Sequence, residues 1–532
     1  MNDRPRVLAV SLDAMDAELA LRWADQGELP TIRRFVDDGA WGRLHSIADD
    51  FPDAIFATIA SGCLPGTHGH YNWRCVRPGS YRMALAPEGT YRRPYWELAH
   101  EQTGARLVLA DVQQAPPLDR DGVTQIAGWG QRAARRHDSW PPGLFDEVVA
   151  RHGRFPQWLD DDVVRRSEAA EARYLETVMR CARARADFYC ELLERQPWDL
   201  AVLSFHEAHN AGHVFHRYLE PGTWAYDEVR AHRFRGSLLD VYRLVDEGLG
   251  RLLEQAGDAT DVLVYSGHGF RLNTNGVQLL PRVLERLGYQ VPARAAPLPR
   301  LLNAAARRVP WSVRRHVNRR LSPEIQRRAL ERMWAESVDW TQTRAVAETA
   351  FGLGWVRVNL RGREPRGTVS PGRERDELCA EIASELESLT LVRTSGRAVT
   401  SVRRMDAVLS GRSVGELPDL IVRFSGTELV DAVSHPRAGV VRESRNDLTS
   451  AEHEARGFVL ARGPRIRPGV VHGGSIVDLA PTILHLMGSE IPADMDGAVL
   501  ESLIEPGLLA AAPPRRAALA WSNDPWAEPA RG

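Results

Sequence analysis

The run His206-Glu207-Ala208-His209-Asn210-Ala211-Gly212-His213-Val214-Phe215-His216 packs four imidazoles and a carboxylate into one short stretch. His209 and His213 are four apart. On a helix they share one face and can hold one metal ion. His206 and His216 lie near the same stripe. For any one of these histidines, a hydrogen-bonded structural role is the plainer reading. A solvated helix, however, has no use for four imidazoles on one side, and a metal or phosphate site does.

The elements that precede such residues give the second clue. Leu200 to Phe205 is an apolar run ending at His206, and Arg6 to Leu12 is another, ending at Asp13. Arg106 to Ala110 ends at Asp111, and Asp261 to Ser266 ends at Gly267-His268-Gly269. Near-continuous apolar runs of this length suit a parallel sheet covered on both faces. In such sheets, ligands bind at the carboxyl ends of the strands. Asp13, His209, His213 and His268 are therefore expected on one rim, and finding them after separate strands favours a site over scattered structural roles.

Composition narrows the class. A chain of 532 residues can bury a large core and more than one lobe. The net charge of −2 points to no nucleic-acid polymer as partner. No apolar run is long enough to span a bilayer and no signal peptide is evident, so no membrane partner is expected and the location is read as cytoplasmic. Cys63, Cys75, Cys181, Cys190 and Cys379 are odd in number and lack CxxC spacing, which reads as buried thiols rather than disulfides or a zinc knuckle. All 68 basic residues are arginine. This fits a bacterial genome rich in G and C, and it excludes a catalytic lysine and a P-loop of the GK[ST] type.

Residues 1–290 alternate strand-like and helix-like segments, the first part of an α/β core. Helices are expected over Ala17 to Gly39, with a break near Pro30, over Gln157 to Glu194, and over Ser237 to Gln255. Residues 291–340 read as a helical insertion or cap, with eleven arginines between Arg294 and Arg332. The plain reading is a solvated insertion; the sharper one is a basic cap that draws an anionic substrate. Residues 341–505 are read as the second part of the core. Trp355 to Leu360, Leu417 to Phe424 and Gly457 to Arg462 supply strands there, and Asp376 to Leu391 a helix. Residues 506–532 are read as a loosely ordered tail.

In order and spacing, these features resemble the alkaline phosphatase superfamily, and within it the type I phosphodiesterase/nucleotide pyrophosphatase branch. The resemblance runs from Val7 to about Leu500. It is carried by Asp13 after the first strand, Ser61-Gly62-Cys63-Leu64-Pro65-Gly66-Thr67-His68-Gly69, Gly212-His213, and Ser266 to Gly269. Asn359 to Gly367, Leu417 to Val422, His453 before a Gly-Phe strand, Asp478 to Leu484 and Asp494 to Gly497 continue it. The resemblance implies an alkaline-phosphatase-like α/β/α sandwich with a largely parallel sheet, here with an arginine-rich helical insertion. It also implies two divalent metals side by side, usually zinc. One would be held by His209, His213 and His453, with His209 where the family has Asp. The other would fall to Asp13 and His268, with Gly267 where the family has a second Asp.

The family's Thr or Ser nucleophile has no clear counterpart in Asp49-Asp50-Phe51-Pro52-Asp53. Two routes remain for phosphoester hydrolysis. A metal-bound water attacks, with Glu207 as base or extra ligand; or a carboxylate at Asp50 or Asp53 attacks and forms an acyl phosphate. The water route tolerates the missing ligands and is preferred. The expected cofactor is thus one or two divalent ions, zinc above others, and the expected substrate a small anionic phosphoester. Arg132 or Arg135 would clamp its charge. The alternative is a repurposed member of the fold, with transferase or lyase chemistry or with binding alone. A sulfatase is disfavoured, because Cys63-Leu64-Pro65 is followed by Thr67 where arginine is required.

Overall fold

The computed structural model describes residues 4–85, 92–130, 138–155, 167–293, 334–350, 353–443 and 450–519. They divide into two compact units: residues 1–68, 87–273 and 448–532, and residues 69–86 and 274–447.

The first unit is built on one large sheet. Its strands are β1 (Val7–Leu12), β2 (Ala40–His45), β3 (Leu107–Ala110), β4 (Val123–Ala127), β5 (Asp138–Trp140), β6 (Leu200–Phe205), β7 (Asp261–Ser266), β8 (Gly457–Arg462), β9 (Gly469–Val470) and β10 (Gly474–Ser475). The order is β9-β2-β8-β7-β1-β6-β3-β4-β5, with β10 also paired to β2. Pairing is parallel from β7 through β1, β6 and β3 to β4, and antiparallel where β8 joins β7 and β2. β1 shows why both faces are covered. Leu8, Val10 and Leu12 enter one hydrophobic cluster, while Val7 and Ala9 enter the other. On the first face lie α1 (Ala17–Asp25), α2 (Pro30–Asp38), α4 (Glu168–Arg195) and α6 (Ser237–Ala256). On the second lies α3 (Ile55–Ser61). The expected α/β/α sandwich is present.

Register sets the site. Ser11 is level with both Ser204 and Tyr265, and Ala110 with Leu203. Asp13, His206 and Gly267 therefore leave three neighbouring strands at one level, and Asp111 leaves the next strand two residues below it. Beyond the rim, Gly269–Leu272 pairs antiparallel with Ala451–Glu454 in a separate ribbon that sets Phe270 opposite His453.

The second unit has its own sheet, in the order Ala345–Ala350, Leu353–Val358, Leu420–Phe424, Val399–Arg404, all antiparallel. Helices Leu280–Leu287 and Arg373–Glu387 share its core. This corrects the expected organisation. Residues 353–358 and 420–424 do not return to the central sheet; of the three strands expected there, only β8 does. Leu353–Val358 is buried along its whole length. Burial on both faces reveals a core strand without revealing which sheet owns it.

Two smaller differences concern the ends of segments. The expected tail begins with a helix, Pro506–Ala511, and Arg516–Ala517 pairs with Ile491–Pro492. Arg516 explains that order by donating to the carbonyls of Pro492, Ala493 and Met495. Arg294 to Arg332, Arg132 and Arg135 lie outside the described residues. Among the described residues no helix is long and apolar enough to cross a membrane. The five cysteines are free thiols, buried except for the part-exposed Cys190.

Candidate metal centre

α5 (Glu207–Phe215) starts directly after β6, with His206 at its N-cap position. The four-residue spacing does what helical geometry requires, and His209 and His213 point the same way. His213 Nε2 lies 2.9 Å from His209 Nε2, which lies 3.1 Å from His453 Nε2. Three imidazole nitrogens on one tetrahedral zinc ion, each about 2.0–2.1 Å from it, stand slightly further apart than this. The three donors form a metal-competent group. His213 Nδ1 is 3.0 Å from the carbonyl of Ala451, which places its proton on Nδ1 and the ring's lone pair on Nε2, the atom that faces His209.

The second part of the centre is Asp13, buried beside β1's end. His206 is clamped between Asp13 Oδ2 and the Asp111 carbonyl, each 2.9 Å from a ring nitrogen. His209 Nδ1 stands 3.1 Å from the same Asp13 oxygen, within ion-pair reach but off the hydrogen-bond line. Gln113 Nε2 donates to that oxygen at 2.8 Å. Burial alone would raise the Asp13 carboxyl. The His209 charge and the contacts from His206 and His209 override it and hold the group well below the usual carboxylate range.

His268 lies on the other side of Asp13, its Nε2 3.8 Å from Asp13 Oδ1. Its ring centroid is 4.3 Å from that of His453. Asp13 Oδ1 and both His268 nitrogens are buried without a hydrogen-bond partner among the described residues. Burial pushes His268 down to about 4. It also holds His453 well below the ordinary imidazole range, with the neighbouring imidazoles adding to the effect. Both rings are thus neutral near pH 7, the form that ligates metal.

Phe270 forms the apolar wall. Its ring centroid is 5.0 Å from His213, 5.7 Å from His453 and 6.0 Å from His209. Gly212 makes this possible, because a Cβ there would overlap the Phe270 ring.

Glu207 is elsewhere. Its side chain is buried, Oε1 accepts from Arg185 Nε at 2.8 Å, and Oε2 accepts from the His206 amide at 3.1 Å. Arg185 Nη1 also donates to Asp111 Oδ2 at 2.6 Å, and Nη2 to the Gly130 carbonyl at 3.0 Å. A carboxylate so engaged is committed to the scaffold, which corrects the expectation of a base or extra ligand. Asp53 sits in the short turn Pro52–Ala54, and its carbonyl accepts from Gln114 Nε2 at 3.2 Å, next to the Gln113 contact on Asp13. Asp50 is buried just before that turn.

The structure places Asp13, His209, His213, His268 and His453, all singled out from the sequence, next to one another. Sequence reasoning gave no role to His206 and missed Gln113, Phe270 and Arg185. Phe270 directly follows the His268-Gly269 turn and Gln113 follows the strand-end Asp111 by two, so proximity to a strand end was the available signal.

A family model for type I phosphodiesterase / nucleotide pyrophosphatase matches residues 7–426, well over half of the chain. The chain belongs to that family. Its fold is similar to that of a variant of the alkaline phosphatase PafA, with a TM-score of 0.51 and 11% identity over 95% of this chain and 100% of the other. Phosphonoacetate hydrolase from Sinorhizobium meliloti 1021, in complex with phosphonoformate, gives a TM-score of 0.49 and 13% identity over 91% of this chain and 96% of that chain. A 2,3-bisphosphoglycerate-independent phosphoglycerate mutase from Shewanella amazonensis is 32% identical over 119 residues, 22% of each protein. The chain thus matches only about a fifth of that curated relative's length.

Proposed function

We propose that this family member is a divalent-metal-dependent hydrolase of small anionic phosphate esters, of the phosphodiester or pyrophosphate kind. The observation that carries this is the convergence of His209, His213 and His453 through their Nε2 atoms. The donor set fits zinc: three imidazoles, one fixed by a backbone carbonyl, against an apolar wall. A divalent ion there would polarise a phosphoryl oxygen and favour a hydroxide nucleophile near neutral pH.

The chain's own residues do the rest. Three histidines leave a fourth position open to substrate or solvent, as catalytic sites do and structural sites do not. His206 and Gln113 hold the Asp13 carboxylate in place. His268, neutral and beside Asp13 Oδ1, offers a buried nitrogen to a polar group of the substrate or to water. Phe270 keeps solvent from one side. Arg132 and Arg135 remain our candidates for charge clamping, and Asp50 and Asp53 for covalent attack.

The test is chelation followed by reconstitution with Zn2+ or Mn2+ and assay on bis(p-nitrophenyl) phosphate, p-nitrophenyl phosphate and p-nitrophenyl sulfate. Metal-dependent turnover of a phosphate ester, fastest with the diester, is expected. A phosphorylated Asp50 or Asp53 trapped in mid-turnover would replace water by a carboxylate as nucleophile. Turnover of none of the three by metal-loaded protein would sink the hydrolase reading. It would favour transferase or lyase chemistry, or binding alone, a reading that the lack of a hydroxyl in residues 49–55 supports.

A further inference from the structure

The family resemblance implies two cations, and the second has a specific difficulty here. Its donors would be Asp13, His268, a residue at position 267 and a hydroxyl near position 52. Position 267 is glycine and position 52 is proline. The glycine is not simply a missing side chain with room left over. A Cβ built on Gly267 would overlap Ile55 Cγ2 and crowd Ile59 Cδ1 at 3.1 Å. Both isoleucines belong to α3 and to the buried core on that face of the sheet. The space a carboxylate would need is filled with hydrocarbon, and a neighbouring aliphatic wall disfavours an ion as well as excluding a ligand.

Two donors remain for that position, Asp13 Oδ1 and His268 Nε2, against the four a divalent zinc ion ordinarily takes. Meanwhile the other oxygen of Asp13 is already occupied. Oδ2 receives Gln113 at 2.8 Å, and His206 and His209 stand 2.9 and 3.1 Å away through their Nδ1 atoms. A carboxylate within ion-pair reach of Nδ1, behind a histidine whose Nε2 faces the metal, is placed to hold that ring's orientation, as carboxylates behind zinc-bound histidines do.

Building on the reading above, we infer that this chain binds one divalent cation per polypeptide, on His209, His213 and His453. In that site Asp13 is a positioning residue that orients His209 and His206. It does not ligate a second ion. His268 and Asp13 Oδ1 form a polar pair beside the cation.

Metal analysis of the full chain, reconstituted with Zn2+ and freed of excess, tests the count. One ion per chain is expected, and two tightly held ions would overturn the inference. Asp13→Asn separates the two roles of the carboxylate. As a positioning residue its loss leaves about one bound ion with roughly 10- to 100-fold weaker affinity, read by competition with a fluorescent chelator. Loss of binding as complete as in His213→Ala would make Asp13 a ligand and end the proposal. Substituting Co2+ gives an independent signature: one set of four-coordinate visible bands that saturates at one equivalent, against a second set rising between one and two. Gly267→Asp in an Ile55→Ala background reopens the space, and a stoichiometry rising above one would confirm that packing closes the second position. A folded double variant still at one would show that packing is not the cause and remove that support. These readouts are separable from function. A chain that holds one ion and cleaves no ester ends the hydrolase reading only, and a two-ion enzyme ends this inference only.

Discussion

Two buried polar clusters stand side by side at the rim of the central sheet, and their bookkeeping differs. Around Arg185, the guanidinium contacts Glu207, Asp111, Gly130, Tyr189 and Ser204, and both carboxylates also accept backbone amides. Around Asp13, one carboxylate oxygen and both nitrogens of His268 have no hydrogen-bond partner among the described residues. Buried polar groups are normally satisfied, so the exceptions ask for a reason. The first cluster is complete and serves as scaffold. The second is incomplete in the way a ligand site must be. His206 joins them, reaching Asp13 with one nitrogen and the Asp111 carbonyl with the other.

The comparison breaks most visibly on a pair of variants. His213→Ala should abolish most metal binding and lower phosphoesterase activity by at least about 100-fold, as expected for loss of a ligand when even outer-shell changes cost 10- to 100-fold. The unfolding midpoint of the metal-free protein should hardly move. Arg185→Leu should do the opposite to stability. It leaves Glu207 and Asp111 buried without their cation and costs about 3–5 kcal/mol in metal-free unfolding by urea. If Arg185→Leu were as stable as wild type, the division into scaffold and site would fail.

pH sharpens the contrast at smaller scale. Burial pushes His268 and His216 down to about 4 from an ordinary value of 6.5. A group with a depressed folded pKa binds fewer protons folded than unfolded between those values. Its stabilising contribution is therefore present above pH 6.5 and is lost as pH falls toward 4. Metal-free protein at pH 5 should be less stable than at pH 7 by on the order of 2 kcal/mol for each such histidine. His268→Gln should flatten this slope. An effect of similar size is expected of Gly212→Ala. The added methyl must displace the Phe270 ring, costing about 1–3 kcal/mol, and zinc affinity should fall with it because the same ring walls the three histidines.

Much of the site was legible because parallel strands have ends. An apolar run that stops at Asp13, His206 or Gly267-His268 announces which residue reaches the rim, and the sheet's register levels them. His209 and His213 followed from helical spacing alone. Glu207 was misassigned for a reason the same geometry contains. Two residues before His209 on a helix is roughly 200° around the axis, so its side chain faces away from the histidines. Arg185, the group it faces, is 22 residues away on another helix and has no local signature. The second unit was hidden for a different reason, since its strands are as buried as those of the main sheet and apolarity carries no address. The family's second metal position could be doubted from Gly267 alone, but the filling of its space by Ile55 and Ile59 required coordinates.

The ribbon that sets Phe270 opposite His453 also fixes when the centre can exist. His453 is 244 residues downstream of His209. At about 5–20 residues per second of synthesis, roughly 12–50 s separate the emergence of the first two imidazoles from that of the third. Through that interval the nascent chain offers an ion only an i,i+4 histidine pair, a poor competitor against cellular buffers. Selective loading must therefore wait until residue 453 has been made, and truncation between residues 273 and 452 should leave strands β7, β1, β6, β3, β4 and β5 in the chain and still give a protein that fails to retain metal.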